Sequence, residues 1–173
     1  MESLKKVIRE VPDYPKEGIL FYDITTLLQD ANAFATAVDA MSRRYIGQKI
    51  DDVLGVESRG FIFGAAMAYR LGTGFILVRK PGKLPADVIQ ETYSLEYGED
   101  IIEMHKDAIQ EGQKILIVDD LLATGGTAAA ACNLVEKAGG DIVECCFMIE
   151  LNFLNGREKL GSRKVYSLLQ YDE

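Results

Sequence analysis

The feature that most constrains this 173-residue chain is a set of short, continuous apolar runs separated by stretches of helical periodicity. Asp52 to Val56, Gly74 to Val78, Lys114 to Val118, Ile142 to Ile149 and Lys164 to Leu168 read as strands. A strand that is apolar at every position, not at every second one, is covered on both faces, which is the condition of a parallel sheet. Between them, Phe61 to Leu71 reads as a helix closed by Gly72, and Thr127 to Lys137 as one closed by Gly139 and Gly140. Asp30 can cap a further helix from Ala31 to about Tyr45, with Phe34, Ala37, Val38, Met41 and Tyr45 on one stripe. Strand–helix alternation predicts an α/β fold with a central, mostly parallel sheet and flanking helices. Ser3 to Arg9 reads as a short helix, which Pro12 and Pro15 break, leaving an irregular stretch to near Leu28. Thr92 to Tyr97 and Glu99 to His105 flank Gly98 and fit an antiparallel flap. With no repeat and no linker, one domain over residues 1–173 is expected at this length.

Charge and cysteine usage exclude several function classes. The 27 acids and 19 bases leave a net charge of −8, which opposes bulk binding to nucleic acid or to an anionic membrane. No apolar run approaches the roughly 20 residues of a spanning helix. Three cysteines without a CxxC pair suggest neither a disulfide framework nor a zinc site. Together with a charged amino-terminal stretch, they point to a reducing cytoplasm. Cys145 and Cys146 are adjacent on a strand and read as packing residues on opposite faces. His105, the only histidine, lies in a strand-like run and reads as solvated or structural.

The motif with the most chemistry is Ile115 to Thr127, ILIVDDLLATGGT. An apolar strand delivers Asp119 and Asp120 to its carboxyl end, and a Thr-Gly-Gly-Thr turn then opens a helix. Backbone N–H groups at such a turn can approach an anion closely, and the helix start adds about half a positive charge. The turn suits a phosphate monoester, and the carboxylates suit sugar hydroxyls or a developing cation. Neither GxGxxG nor GK[ST] is present, so a dinucleotide or Walker-type triphosphate site is not indicated. A second strand–helix junction, Gly55 to Gly60 (GVESRG), offers Arg59 as a fork of donors; read alone, Glu57 and Arg59 are more often a surface ion pair, and beside the first motif the balance reverses. A third segment, Arg79 to Lys83 (RKPGK), lies in a stretch from Phe75 to Ala86 without a single acid. It is either a local anion attractor or a solvated loop tip.

The Asp-Asp and Thr-Gly-Gly-Thr motif resembles the phosphoribosyl-pyrophosphate (PRPP) signature of type I phosphoribosyltransferases. The resemblance implies that Asp119 and Asp120 hold ribose hydroxyls near the reacting centre, while Ala123, Thr124, Gly125, Gly126 and Thr127 bind the 5-phosphate. GVESRG is similar to the family's pyrophosphate loop, which implies that a strained peptide at Glu57–Ser58 and the side chain of Arg59 face the leaving group. By the same resemblance Arg79, Lys80 and Lys83 reach pyrophosphate. Tyr93 to Gly98, YSLEYG, is similar to a flap segment of the adenine-specific branch, which implies that Glu96 lies by the purine, with Tyr97 beside it. Tyr14 to Leu28 resembles that branch's amino-terminal hood over residues 1–29, in which Phe21 stacks on the base and main chain near Leu20 reads its edge. Many members carry Arg where this chain has Tyr22. Overall the resemblance implies a type I phosphoribosyltransferase fold with a hood and a flexible antiparallel flap, the basic loop and flap spanning residues 79–105. It further implies a cytoplasmic homodimer that uses Mg²⁺ bound mainly through substrate oxygens and converts adenine and PRPP to AMP and pyrophosphate. A transferase for a 6-oxo purine and a PRPP-sensing regulator are the competing readings.

Overall fold

A computed structural model of the chain describes residues 1–94 and 98–172. It opens with α1 (Glu2–Lys5), β1 (Arg9–Pro12), β2 (Leu20–Asp23), α2 (Thr25–Gln29) and α3 (Ala31–Arg43). The alternating part follows as β3 (Asp52–Val56), α4 (Arg59–Leu71) and β4 (Gly74–Val78). Next come β5 (Val88–Ser94), β6 (Glu99–His105), β7 (Lys114–Leu122), α5 (Gly126–Lys137) and β8 (Asp141–Leu151). Two short 3₁₀ turns, Asn152–Leu154 and Gly156–Leu160, lead to β9 (Val165–Tyr171).

The central sheet has the order β4-β3-β7-β8-β9, with every neighbouring pair parallel. Continuous apolar runs demand cover on both faces, and both faces have it. Val53, Leu116, Val118 and Cys146 belong to a core shared with Phe63 and Met67 of α4 and with Met41 of α3. Leu54, Ile115, Ile117 and Cys145 belong to a second core with Leu134 and Val135 of α5 and with Ile102 and Met104 of β6. Adjacent Cys145 and Cys146 thus divide between the two cores, as strand alternation requires.

The helix over Ala31–Arg43 starts where expected: the Asp30 carboxylate accepts the N–H groups of Asn32 and Ala33, both at 2.9 Å. Parts of the chain differ from the sequence reading, among them helix α2 within the stretch expected to be irregular. The amino-terminal helix stops at Lys5, and residues 9–23 form an antiparallel ribbon in which Arg9 faces Asp23 and Pro12 faces Leu20. Pro12 is tolerated because a two-stranded ribbon leaves one side of each strand unpaired. The flap pair is also longer than expected: β5 begins at Val88 and pairs antiparallel with β6 from Val88↔His105 to Ser94↔Glu99.

Replacing Asp30 by Ala should lower stability by about 1 kcal/mol, because it strands two helix N–H groups at a half-exposed end. Urea denaturation checks this; an unchanged midpoint would show that the cap carries no stability.

Candidate active site

The sheet order places a ligand site. The chain enters at β3, moves out to β4, then returns to β7 on the other side of β3. The connections after β3 and β7 therefore diverge, and in open α/β sheets the crevice at such a switch point is where ligands bind. A cleft of about 340 Å³ occupies that point. It brings together Glu57, Ser58 and Arg59 after β3, Asp119 and Asp120 on β7, and the turn Ala123 to Thr127 that starts α5.

Two glycines make the close approach possible. A Cβ on Gly60 would stand 2.6 Å from Oδ1 of Asp119 and 3.1 Å from the Val118 carbonyl oxygen, so only hydrogen lets the start of α4 lie against the end of β7. Gly125 has φ +79°, the left-handed region, as the N-cap of α5. Its open face packs backbone to backbone on Gly156, whose Cα would be 3.2 Å from an added Cβ.

The carboxylate pair dominates the electrostatics. Asp120 is only 6% exposed, while Asp119 is half-buried and takes the Asp120 N–H on Oδ1 at 2.9 Å. Burial raises the pKa of Asp119 well above the ordinary carboxylate value, and the neighbouring Asp120 adds to it. Burial also raises Asp120, but Arg59 opposes the rise through a 2.9 Å ion pair from Nε to Oδ2. The Arg59 guanidinium lies 5.7 Å from the centre of the Phe21 ring, which joins the hood to the cleft.

Glu57 gathers the basic loop. It accepts the Lys80 N–H at 2.8 Å, Arg79 Nε at 3.2 Å and Lys83 Nζ at 3.1 Å. Burial works to raise its pKa, but these donors outweigh it and carry Glu57 down to about 2. The Glu57–Ser58 peptide is cis. Lys80 donates to Asp100 and, at 3.2 Å, to the Tyr93 hydroxyl, which itself donates to Asp100 at 2.9 Å.

A desolvated pair of acids, a glycine-lined helix start and an arginine stand within one cleft, a set of groups whose chemistry suits a polyhydroxylated phosphate ester. The whole segment 25–169 matches the model of the phosphoribosyl transferase domain. The chain belongs to the phosphoribosyltransferase family. An adenine phosphoribosyltransferase of Trichlorobacter lovleyi is 63% identical over 171 residues, covering 99% of this chain and all of that protein. The crystal structure of the adenine phosphoribosyltransferase of Thermoanaerobacter pseudethanolicus superposes with a TM-score of 0.95 at 52% identity, covering 98% of this chain and 99% of that one. The Saccharomyces cerevisiae enzyme, solved with adenine and an imino-altritol bisphosphate, gives a TM-score of 0.92 at 44% identity, covering 97% of each chain.

Within this phosphoribosyltransferase the residues singled out from sequence divide into groups. Glu57, Ser58, Arg59, Lys80, Asp119, Asp120 and the turn 123–127 line one cleft. Arg79 and Lys83 are held outside it by Glu57. The acid-free stretch is therefore not a bare positive patch, since Glu57, Asp100 and Glu103 reach it from other segments. Glu57 and Arg59 pair with different partners and not with each other. Phe21 is half-buried, edge-on to Tyr14 with ring centres 5.1 Å apart, whereas the Leu20 side chain lies in a separate depression beside Tyr22 and Tyr171. Tyr22 packs on Tyr171 with ring centres 3.8 Å apart, so in this chain the position facing away from Phe21 serves the core. Glu96 and Tyr97 lie outside the described residues. His105 is a half-buried strand residue whose Nε2 accepts the Ala86 N–H at 3.4 Å.

Sequence reasoning missed two contributors. Tyr93 lines the cleft, and its place in YSLEYG was the available signal. Gly156 backs the turn, and no motif announced it.

Removing the Arg59 charge should raise the titration of the carboxylate pair, because Arg59 is the largest of the influences that lower Asp120. NMR titration of the side-chain carboxyls should find it at higher pH in Arg59→Gln than in wild type; an equal value would show that the ion pair does not hold Asp120 ionised. Glu57 has a depressed pKa, so its stabilisation is present above the ordinary value of 4.5 and lost as pH falls toward about 2. The stability gap between wild type and Glu57→Gln, measured in urea, should be constant above about pH 5 and close at lower pH. A gap independent of pH would contradict this.

Proposed function

We propose that this phosphoribosyltransferase transfers the 5-phosphoribosyl group of PRPP to adenine, forming AMP and pyrophosphate. The observation that carries the reading is that the Asp119–Asp120 pair and the Ala123–Thr127 turn line one cleft. The adenine phosphoribosyltransferase relatives, one of them solved with adenine and another, from Giardia lamblia, with 9-deazaadenine, support adenine as the acceptor.

The turn and the start of α5 receive the 5-phosphate through backbone N–H groups and the hydroxyls of Thr124 and Thr127. Asp119 and Asp120 accept hydrogen bonds from the ribose 2- and 3-hydroxyls. The C1–O bond to pyrophosphate breaks, the bond from an adenine ring nitrogen to C1 forms, and a proton leaves the base. Positive charge grows on the ribose as pyrophosphate departs, and the two carboxylates stand beside it. Arg59 faces the leaving group once Asp120 turns to the ribose, with the Ser58 N–H beside it. Lys80 stands at the same end, and Arg79 and Lys83 hold the loop through Glu57. Phe21 stacks on the base, main chain at Leu20 accepts from its 6-amino group, and Glu96 and Tyr97 are assigned to base binding from the sequence motif alone. Stacking tolerates any purine, so discrimination comes from the hydrogen bonds.

Magnesium fits this cleft as a substrate-bound ion. The cleft supplies one carboxylate pair, and among the described residues no group of three or more acidic, histidine or cysteine side chains is arranged to hold a metal ion. The magnesium would be held mainly through ribose and pyrophosphate oxygens, beside Asp119 and Asp120, and it would neutralise charge on the leaving group. A homodimer is supported by exposed apolar side chains along α4 and the edge strand β4: Ile62, Tyr69 (90% exposed) and Leu77. No helix among the described residues is long and apolar enough to cross a membrane. A reducing cytoplasm suits three buried cysteines that stand as thiols. Residues 1–173 act as one domain, with 1–29 as hood over the base and 79–105 as basic loop and flap.

Asp119→Asn combined with Asp120→Asn should reduce AMP formation by at least about 10²–10³-fold, the loss expected for one well-placed electrostatic group. Turnover near wild type would end the proposal. In competition among adenine, hypoxanthine, guanine and xanthine, adenine should be consumed first; preference for a 6-oxo purine would assign a different acceptor.

A further inference from the structure

The cations around the cleft are mostly spoken for. Arg59 is paired with Asp120, Arg79 and Lys83 with Glu57, and Lys80 with Asp100. At the phosphate end, Arg157 is chelated by Glu150 through two hydrogen bonds of 2.6 and 2.7 Å, and Arg163 by Glu136. A phosphate monoester carries close to two negative charges at neutral pH. The helix start offers about half a positive charge against them.

The turn Gly156–Leu160 supplies a cation. Its two ends are fixed. Gly156 is buried, and an added Cβ would lie 3.1 Å from the Gly125 nitrogen, while Leu160 is fully buried in the core beneath α5. Between these anchors Lys159 is exposed, and its Nζ lies 4.0 Å from where a Cβ of Gly126 would stand. Gly126 is the first residue of α5. Unlike its neighbours Arg157 and Arg163, Lys159 has no carboxylate partner among the described residues.

We propose that Lys159 is a binding residue for the 5-phosphate, giving the turn the full positive charge that its backbone donors lack. The inference rests on the reading of the cleft as the PRPP and AMP site. Four rotatable bonds let the ammonium swing the short distance from the rim above Gly126 to a bound phosphate. The Arg157–Glu150 pair and the Gly156 contact hold the stem at that rim.

The test compares AMP with adenosine, which differ only in the phosphate. Calorimetry on wild type, Lys159→Met and Lys159→Arg should show AMP bound about tenfold more weakly by the Met variant, as for loss of one charge-assisted hydrogen bond. Adenosine affinity should stay within about twofold, and Arg should restore most of the AMP affinity. In turnover, the KM for PRPP should rise with little change in kcat or in the KM for adenine. Equal AMP affinity in wild type and Lys159→Met, or a parallel loss for adenosine, overturns the role of Lys159 alone. A wild-type protein that binds neither AMP nor PRPP overturns the underlying reading as well.

Discussion

Two acids in succession at the end of a buried strand are costly, and the architecture of the cleft follows from containing them. Burial raises both Asp119 and Asp120, the charge of Asp120 raises Asp119 further, and one guanidinium opposes the rise in each. Arg59 can do so because Gly60 allows the first turn of α4 to touch β7. The sheet order makes this juncture a crevice and not a packed seam. The site thus carries its own counter-charge in Arg59, paired with Asp120 at 2.9 Å.

The same logic extends to the basic loop. An acidic protein that must bind a multiply charged anion needs local positive charge, yet unpaired lysines would hold a loop poorly. Glu57 and Asp100 resolve this by tying Arg79, Lys80 and Lys83 to the strand ends next to the cleft. Glu57 itself is held ionised far below the ordinary range, so the tie persists through the physiological pH window.

Much of this was legible in the sequence, for identifiable reasons. Strand β3 has the residues the pattern predicts because burial on both faces leaves no polar interruption, and the edge strand β4 keeps the predicted residues although Leu77 is exposed. Strand β7 runs four residues further, to Leu122, because Asp119 and Asp120 continue the ladder opposite Phe147 and its neighbours, whereas acids usually signal a strand end. The amino-terminal ribbon was hidden, since its register joins Arg9 to Asp23 across two prolines and depends on a pairing that no local pattern announces. In the cleft, the turn and the carboxylates were visible because they are contiguous. The ion pairs were not: Glu57 meets Arg79 across 22 residues and Lys80 meets Asp100 across 20, distances at which charge pattern carries no pairing information. The backing of the turn by Gly156 escaped notice for the same reason.

The central claim is that one phosphorylated sugar spans the carboxylate pair and the glycine-lined turn. A crystal structure with PRPP or AMP bound tests it most directly. The account predicts the 5-phosphate against the N–H groups of residues 124–127 and the ribose hydroxyls on Asp119 and Asp120, with Arg59 released from Asp120. A phosphate seated instead on Arg79 to Lys83, with the sugar away from both aspartates, would contradict it.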